Sequence, residues 1–154
     1  MDRYRIASRP KPTVSKQPYR TLPNISLPNC DLDRGASFTI IPDCHRALLV
    51  IKMGGFFSEP DINGLRIELA NKIKGLGCPP NQHSTLCDVT LMKIQTKLSV
   101  ESFSRLVGDP VFRSRRLAFV TGSSLSRLQT RRLTNRDGAE FFTSVLDAEN
   151  WLLK

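Results

Sequence analysis

Two histidines and four cysteines are the residues with most scope for chemistry in this chain, His45, His83, Cys30, Cys44, Cys78 and Cys87. A nucleophile needs a base within hydrogen-bond reach. His45 lies in a short polar connection and His83 follows Pro79-Pro80, and neither has a partner suggested by spacing. The cysteines form no CxxC pair, and the histidines add no zinc-like spacing. No catalytic residue, metal ligand or cofactor is therefore expected, and the protein reads as a non-enzyme. Cys87 sits in an apolar run, where a small buried hydrophobe is a better reading than a reactive thiol.

Two further groups can bind anions. Gly122-Ser123-Ser124 stands between an apolar run and a helical pattern, where backbone N–H groups and hydroxyls can meet a negative charge. It is neither a Walker motif nor a GxGxxG fingerprint, and a strand-to-helix turn needs small, capping residues in any case. Of the arginines that follow, Arg127 and Arg131 share a solvent side at about 100° per residue, whereas Arg132 falls near the line of Leu125 and Leu128. A guanidinium there needs a carboxylate such as Asp137 or Glu140, or else lines an anion site; the ion pair is the expectation.

The formal net charge of +9 is spread over the tail, the middle and the C-terminal third. That balance permits weak attraction to nucleic acid, anionic lipid or acidic protein surfaces. Specific nucleic-acid binding would want a basic stripe interleaved with exposed aromatics. The eight Phe, two Tyr and one Trp fall mostly in strand or helix cores, which argues against it. No apolar run approaches the roughly 20 residues of a bilayer span, and the N-terminus lacks a signal-peptide h-region. A cytoplasmic, reducing location is expected.

The elements that must position these residues follow from pattern. Residues 1–35 carry Pro10, Pro12, Pro18, Pro23 and Pro28 among basic and polar residues without apolar periodicity, and read as a disordered basic tail. Ser37–Ile41 and Ala47–Met53 read as an antiparallel hairpin. Ser58 to Asp61 resembles a capping box, and Ile62, Leu65, Leu69, Ile73 and Leu76 mark one helix face. Ser84–Thr90 is the next strand, reached by a parallel crossover. A loop from Leu91 to Leu98 precedes a helix capped by Ser99 that buries Val100, Phe103 and Leu106. Leu117–Thr121 is a strand buried on both faces. Ser123 or Ser124 caps a helix with Leu125, Leu128 and Leu133 near one face, ended by Asn135 and Asp137-Gly138. Ala139–Phe142 is the last strand, and a final helix from Thr143 or Ser144 buries Val145, Ala148 and Leu152 and is anchored by Trp151. The order β, β, α, β, α, β, α, β, α makes an α/β domain over residues 36–154, with a mainly parallel sheet covered by about four helices. In such sheets ligands and partners meet the loops at the carboxyl ends of the strands, here Gly54–Ser58, Leu91–Leu98 and Gly122–Ser124.

This order, with the apolar strand running into Gly54-Gly55, the strand ending Asp88-Val89-Thr90, the Leu117–Ser124 segment and the terminal Asp147-Ala148-Glu149-Asn150-Trp151-Leu152-Leu153, resembles the SpoIIAA-like, STAS-like proteins. The resemblance implies a sheet covered by helices, related to anti-sigma factor antagonists and likened to Sec14-type lipid-binding domains, without enzymatic activity. Antagonists of this type carry an Asp-Ser-Ser-Gly-like motif whose serine is phosphorylated; the corresponding stretch here is Ile94-Gln95-Thr96-Lys97-Leu98-Ser99, and the motif is missing. Thr96 and Ser99 are then modification sites by proximity alone, with capping the plainer role. The implied function is an interaction module that binds a protein partner through Leu91, Met92, Lys93 and Lys97 and the following helix. The alternative is a small-molecule or lipid carrier with an apolar cavity near Phe56 and Phe57.

Overall fold

The computed structural model describes residues 35–134 and 137–154. Apart from Gly35 the expected tail lies outside these residues, as do Asn135 and the side chain of Leu125. The strands are β1 (Ser37–Asp43), β2 (Leu48–Gly55), β3 (Ser84–Met92), β4 (Arg116–Val120) and β5 (Ala139–Phe142). The helices are α1 (Glu59–Gly75), α2 (Lys97–Gly108), α3 (Ser124–Arg131) and α4 (Val145–Leu152), with a 3-10 turn at Pro110–Phe112. The sheet order is β1-β2-β3-β4-β5, antiparallel only between β1 and β2.

Register explains the core. Ile40, Ile51, Cys87, Phe119 and Phe141 are successive partners across all five strands. On this face they join Leu65 and Leu69 of α1 and Phe103 and Leu106 of α2. Because side chains alternate along a strand, Leu48, Leu86, Ala118 and Val120 point the other way, onto Ala148 and Leu152 of α4. Each fully buried Leu contributes about 2 kcal/mol of transfer free energy, so both faces matter.

Local chemistry sets the ends. Pro42 lies within β1, which is tolerable because β1 is an edge strand with no ladder partner beyond it. At the hairpin the Asp43 carboxylate accepts from the N–H groups of His45 and Arg46, both at 3.1 Å. The Arg46 guanidinium holds that carboxyl below its usual range. Asp61 accepts from the Ser58 N–H and hydroxyl, which secures the start of α1 and lowers the Asp61 pKa. Gly138 has φ 81°, and a Cβ there would stand 3.0 Å from the Arg115 carbonyl oxygen; the turn into β5 requires glycine.

Five expectations are corrected. β3 continues to Met92, beyond Thr90, because β2 shifts register after Lys52 and pairs Gly54 and Gly55 with Leu91 and Met92. Helix α2 starts a turn early: Thr96 is its cap, its Oγ1 accepting from the Ser99 N–H at 3.2 Å, so Ser99 is carried inside. In α3 the inward residues include Thr130, whose hydroxyl is satisfied by the Ser126 carbonyl at 2.8 Å, while Leu128 is 58% exposed. Arg132 follows that helix, exposed, and among the described residues it forms no ion pair with Asp137 or Glu140. In α4, Val145 is exposed, whereas Ala148 and Leu152 are buried against the sheet and Trp151 is half-buried beside them.

Trp151 is half-buried between the Phe142 ring, 5.8 Å away, and Arg116, whose guanidinium carbon lies 5.3 Å from the indole centroid. Arg116 also donates to the Trp151 carbonyl at 2.7 Å.

Candidate docking surface

Two of the three loops at the carboxyl end of the sheet are joined by one buried side chain, Gln95. Its Oε1 accepts from the Phe57 N–H at 2.9 Å, and its Nε2 donates to the Gly55 carbonyl at 2.9 Å and to the Lys93 carbonyl at 2.6 Å. The Ser99 hydroxyl adds a bond to the Phe57 carbonyl at 2.7 Å. The backbone of Gln95 is in turn held by Gln129 of α3. Polar groups in a loop that enters a core must all be paired, and this amide does most of that pairing. Sequence does not single out Gln95 and Gln129: an isolated glutamine carries no periodic or motif signal, and apart from Lys93 the partners lie 34 to 40 residues away.

On the outer side of this frame stands an apolar patch. Leu91 is 79% and Leu98 73% exposed, with Phe56 and Ile94 also open. Lys93 Nζ stands 5.0 Å from the Phe56 ring centroid, a cation–π contact that holds both at the edge of the patch. Lys97 is exposed beside Glu101 at 3.9 Å. An open cleft of about 600 Å³ runs between Gly35-Ala36, the β2–α1 loop and Thr96-Leu98, with Glu59 and Asp61 at its rim.

The residues expected at a site divide clearly. Phe56, Leu91, Lys93, Thr96, Lys97 and Ser99 belong to this end of the sheet. Met92 is half-buried against the core, Phe57 is buried edge-on to Phe103, and Ser99 is buried, so none of these three presents its side chain as expected. Ser123 caps α3 by accepting from the Ser126 N–H at 3.1 Å, and Ser124 is exposed as its first residue. Arg132 lies at the opposite end of that helix, about 12 Å along its axis, and does not complete an anion site with them.

The apolar cavity expected near Phe56 and Phe57 is elsewhere. It lies between the sheet and α1, α2 and α3, has a volume of about 80 Å³ and is lined chiefly by core side chains. A ligand pocket for a drug-sized molecule takes about 300 Å³ or more, so a bilayer lipid finds no support here. The cleft at Phe56 is larger, but it is open and rimmed by two carboxylates, which suits polypeptide better than an acyl chain. Cys87 is buried, and burial followed by the Asp88 carboxylate pushes its thiol up to about 12, far from a reactive thiolate. No described helix is long and apolar enough to cross a membrane.

No family model and no curated protein matches the chain. Solved structures do match. An uncharacterised DUF3478-family protein with a SpoIIAA-like fold from Shewanella loihica superposes with a TM-score of 0.60 at 19% identity, over 77% of this chain and 94% of that one. An anti-sigma factor antagonist from Mycobacterium paratuberculosis does so with a TM-score of 0.52 at 12% identity, over 77% and 96%. With its one antiparallel strand pair, parallel remainder and covering helices, the chain has the SpoIIAA-like, STAS-type fold.

Proposed function

We propose that the chain is a non-enzymatic, regulatory interaction module that docks a protein partner on the patch formed by Phe56, Leu91, Ile94 and Leu98. The observation that carries this reading is the exposure of those side chains at the end of β3, in the loops after β2 and β3 and at the start of α2, around the frame that Gln95 ties together. Several large apolar side chains exposed at one end of a sheet, with charged residues beside them, mark an interaction site. Likeness in fold to an anti-sigma factor antagonist supports a regulatory protein partner. Binding is constitutive: the phosphoserine motif of such antagonists is missing, and Ser99 is turned inward. Lys93 and Lys97 steer an acidic partner, so affinity falls as salt rises.

The test compares wild type with Leu91→Asp/Leu98→Asp, Lys93→Glu/Lys97→Glu and Thr96→Ala/Ser99→Ala in capture from the native organism. Loss of one reproducible partner with the first two variants supports the proposal. Loss only with the hydroxyl-deleted variant, with phosphate on the wild type, would overturn it. In the same reading residues 36–154 are a domain that folds without residues 1–33, and the location is cytoplasmic. A chain without residues 1–33 should keep cooperative unfolding, and loss of cooperativity would contradict that division.

A further inference from the structure

We propose that the cavity beneath α3 binds one compact apolar molecule, and that its occupancy stiffens the segment from Lys93 to Thr96. The second half rests on the docking reading; the first does not.

The walls are apolar where they are deepest, with Ile51, Met53, Leu69, Cys87, Phe103 and Phe119 around the space. Three polar side chains on the wall are already engaged, and His83, Thr85, Lys93 and Ser126 line it as well. The Gln95 amide serves Phe57, Gly55 and Lys93, the Gln129 amide serves the Gln95 backbone, and the Thr130 hydroxyl donates to Ser126. A buried water needs two to four polar partners, and these groups offer it few. An apolar occupant loses nothing there and regains the dispersion contacts an empty cavity forfeits. A volume of about 80 Å³ suits an occupant of the size of xenon; a six-carbon ring takes a cavity of about 150 Å³, so the half-buried cover must move outward to admit one.

The cover and the docking segment supply the rest. Helix α3 spans eight residues and turns Ser126, Gln129 and Thr130 toward the cavity, so the cover is one short helix held to the loop after β3 by the Gln129–Gln95 bonds. Met92, Lys93 and Gln95 also line the wall. A molecule packed against them restrains the stretch from which Leu91, Ile94 and Leu98 project, and an ordering ligand lowers the entropy a partner must still remove.

The chain has three methionines, and Met53 and Met92 both line the cavity, while Met1 serves as reference. In methyl-13C-methionine protein, benzene and xenon should shift the Met53 and Met92 methyls saturably and leave Met1 unmoved. Hydrogen exchange at the Gln95 and Thr96 amides should slow about threefold or more at saturation. Cys87→Leu fills the space from the sheet and Val100→Phe from α2, and either, once shown folded by cooperative melting, should abolish the saturable shift. No saturable shift in the wild type, or one that survives in the filled protein, overturns the site. Saturation with unchanged amide exchange overturns the coupling. No partner enters the experiment, so its failure leaves the docking proposal to its own test.

Discussion

Gln129 Oε1 accepts from the Gln95 N–H at 3.0 Å while Gln129 Nε2 donates to the Gln95 carbonyl at 2.9 Å. One side-chain amide thus pairs both backbone groups of one residue, as a neighbouring strand would, and fastens α3 to the loop after β3. The Gln95 side chain then passes the connection to Gly55 and Phe57.

Gln95→Ala should therefore destabilise the fold by about 2–4 kcal/mol, because it strands the Phe57 N–H away from water and leaves the Gly55 carbonyl with only the Lys93 N–H. Gln129→Ala should cost less, about 1–2 kcal/mol, since its partner groups are only part-buried. Urea unfolding at constant m-value measures both. Equal costs, or a Gln95 effect under about 0.5 kcal/mol, would show that the loops are held by other means.

Leu91→Asp and Leu98→Asp should leave stability within about 0.5 kcal/mol, since both side chains are mostly in solvent. Any loss of partner binding in these variants is then attributable to the surface. A melting temperature that drops by many degrees would mean the two leucines pack on the protein itself.

Aspartate substitutions separate the two hydroxyls of the segment. Thr96→Asp should be nearly neutral, because aspartate is a good helix cap and its charge suits the start of α2. Ser99→Asp should cost about 3 kcal/mol or more, because a carboxylate there is buried against the Phe57 carbonyl in place of a donor. Equal tolerance of both, read by thermal unfolding, would reopen Ser99 as a modification site.

Cys87 makes an alkaline prediction. Its thiol is pushed up from 9.0 to about 12 by burial and by Asp88. Folding therefore favours the protonated form; this contribution is whole below pH 9 and is lost as pH rises toward 12, at most about 4 kcal/mol. Stability of Cys87→Val should fall less steeply than wild type across that window. Identical slopes, or alkylation of native Cys87 by iodoacetamide at pH 8, would contradict its burial.

The last helix should depend on the Arg116–Trp151 pair. Trp151→Ala should cost about 3 kcal/mol, and a double-mutant cycle with Arg116→Ala should show a coupling of about 1 kcal/mol from the cation–π contact alone, because the Trp151 backbone carbonyl that accepts from Arg116 is kept in the alanine variant. Strict additivity would mean that the two residues stabilise α4 separately.

Apolar periodicity, turn residues and caps were enough to read the five strands, the four helices, their order and the parallel crossover, because each is written within about a dozen neighbouring residues. The run Ala47–Met53 reads as a strand and Ser58 with Asp61 as a helix start for that reason. The carboxyl-end loops followed from topology alone. What needed the tertiary structure was the phase of the elements and the polar bonds between them. Ser99 rather than Thr96 looked like the cap because both are good caps, and only the fit of Ser99 under Phe57 decides between them. Leu128 and Arg132 were misplaced because helix phase was judged from apolar residues, whereas α3 turns Gln129 and Thr130 inward, where Gln95 and Ser126 satisfy them. Gln95 is invisible in the chain for the same cause: its meaning lies in partners far along the sequence, and hydrogen-bond satisfaction is a property of positions in space.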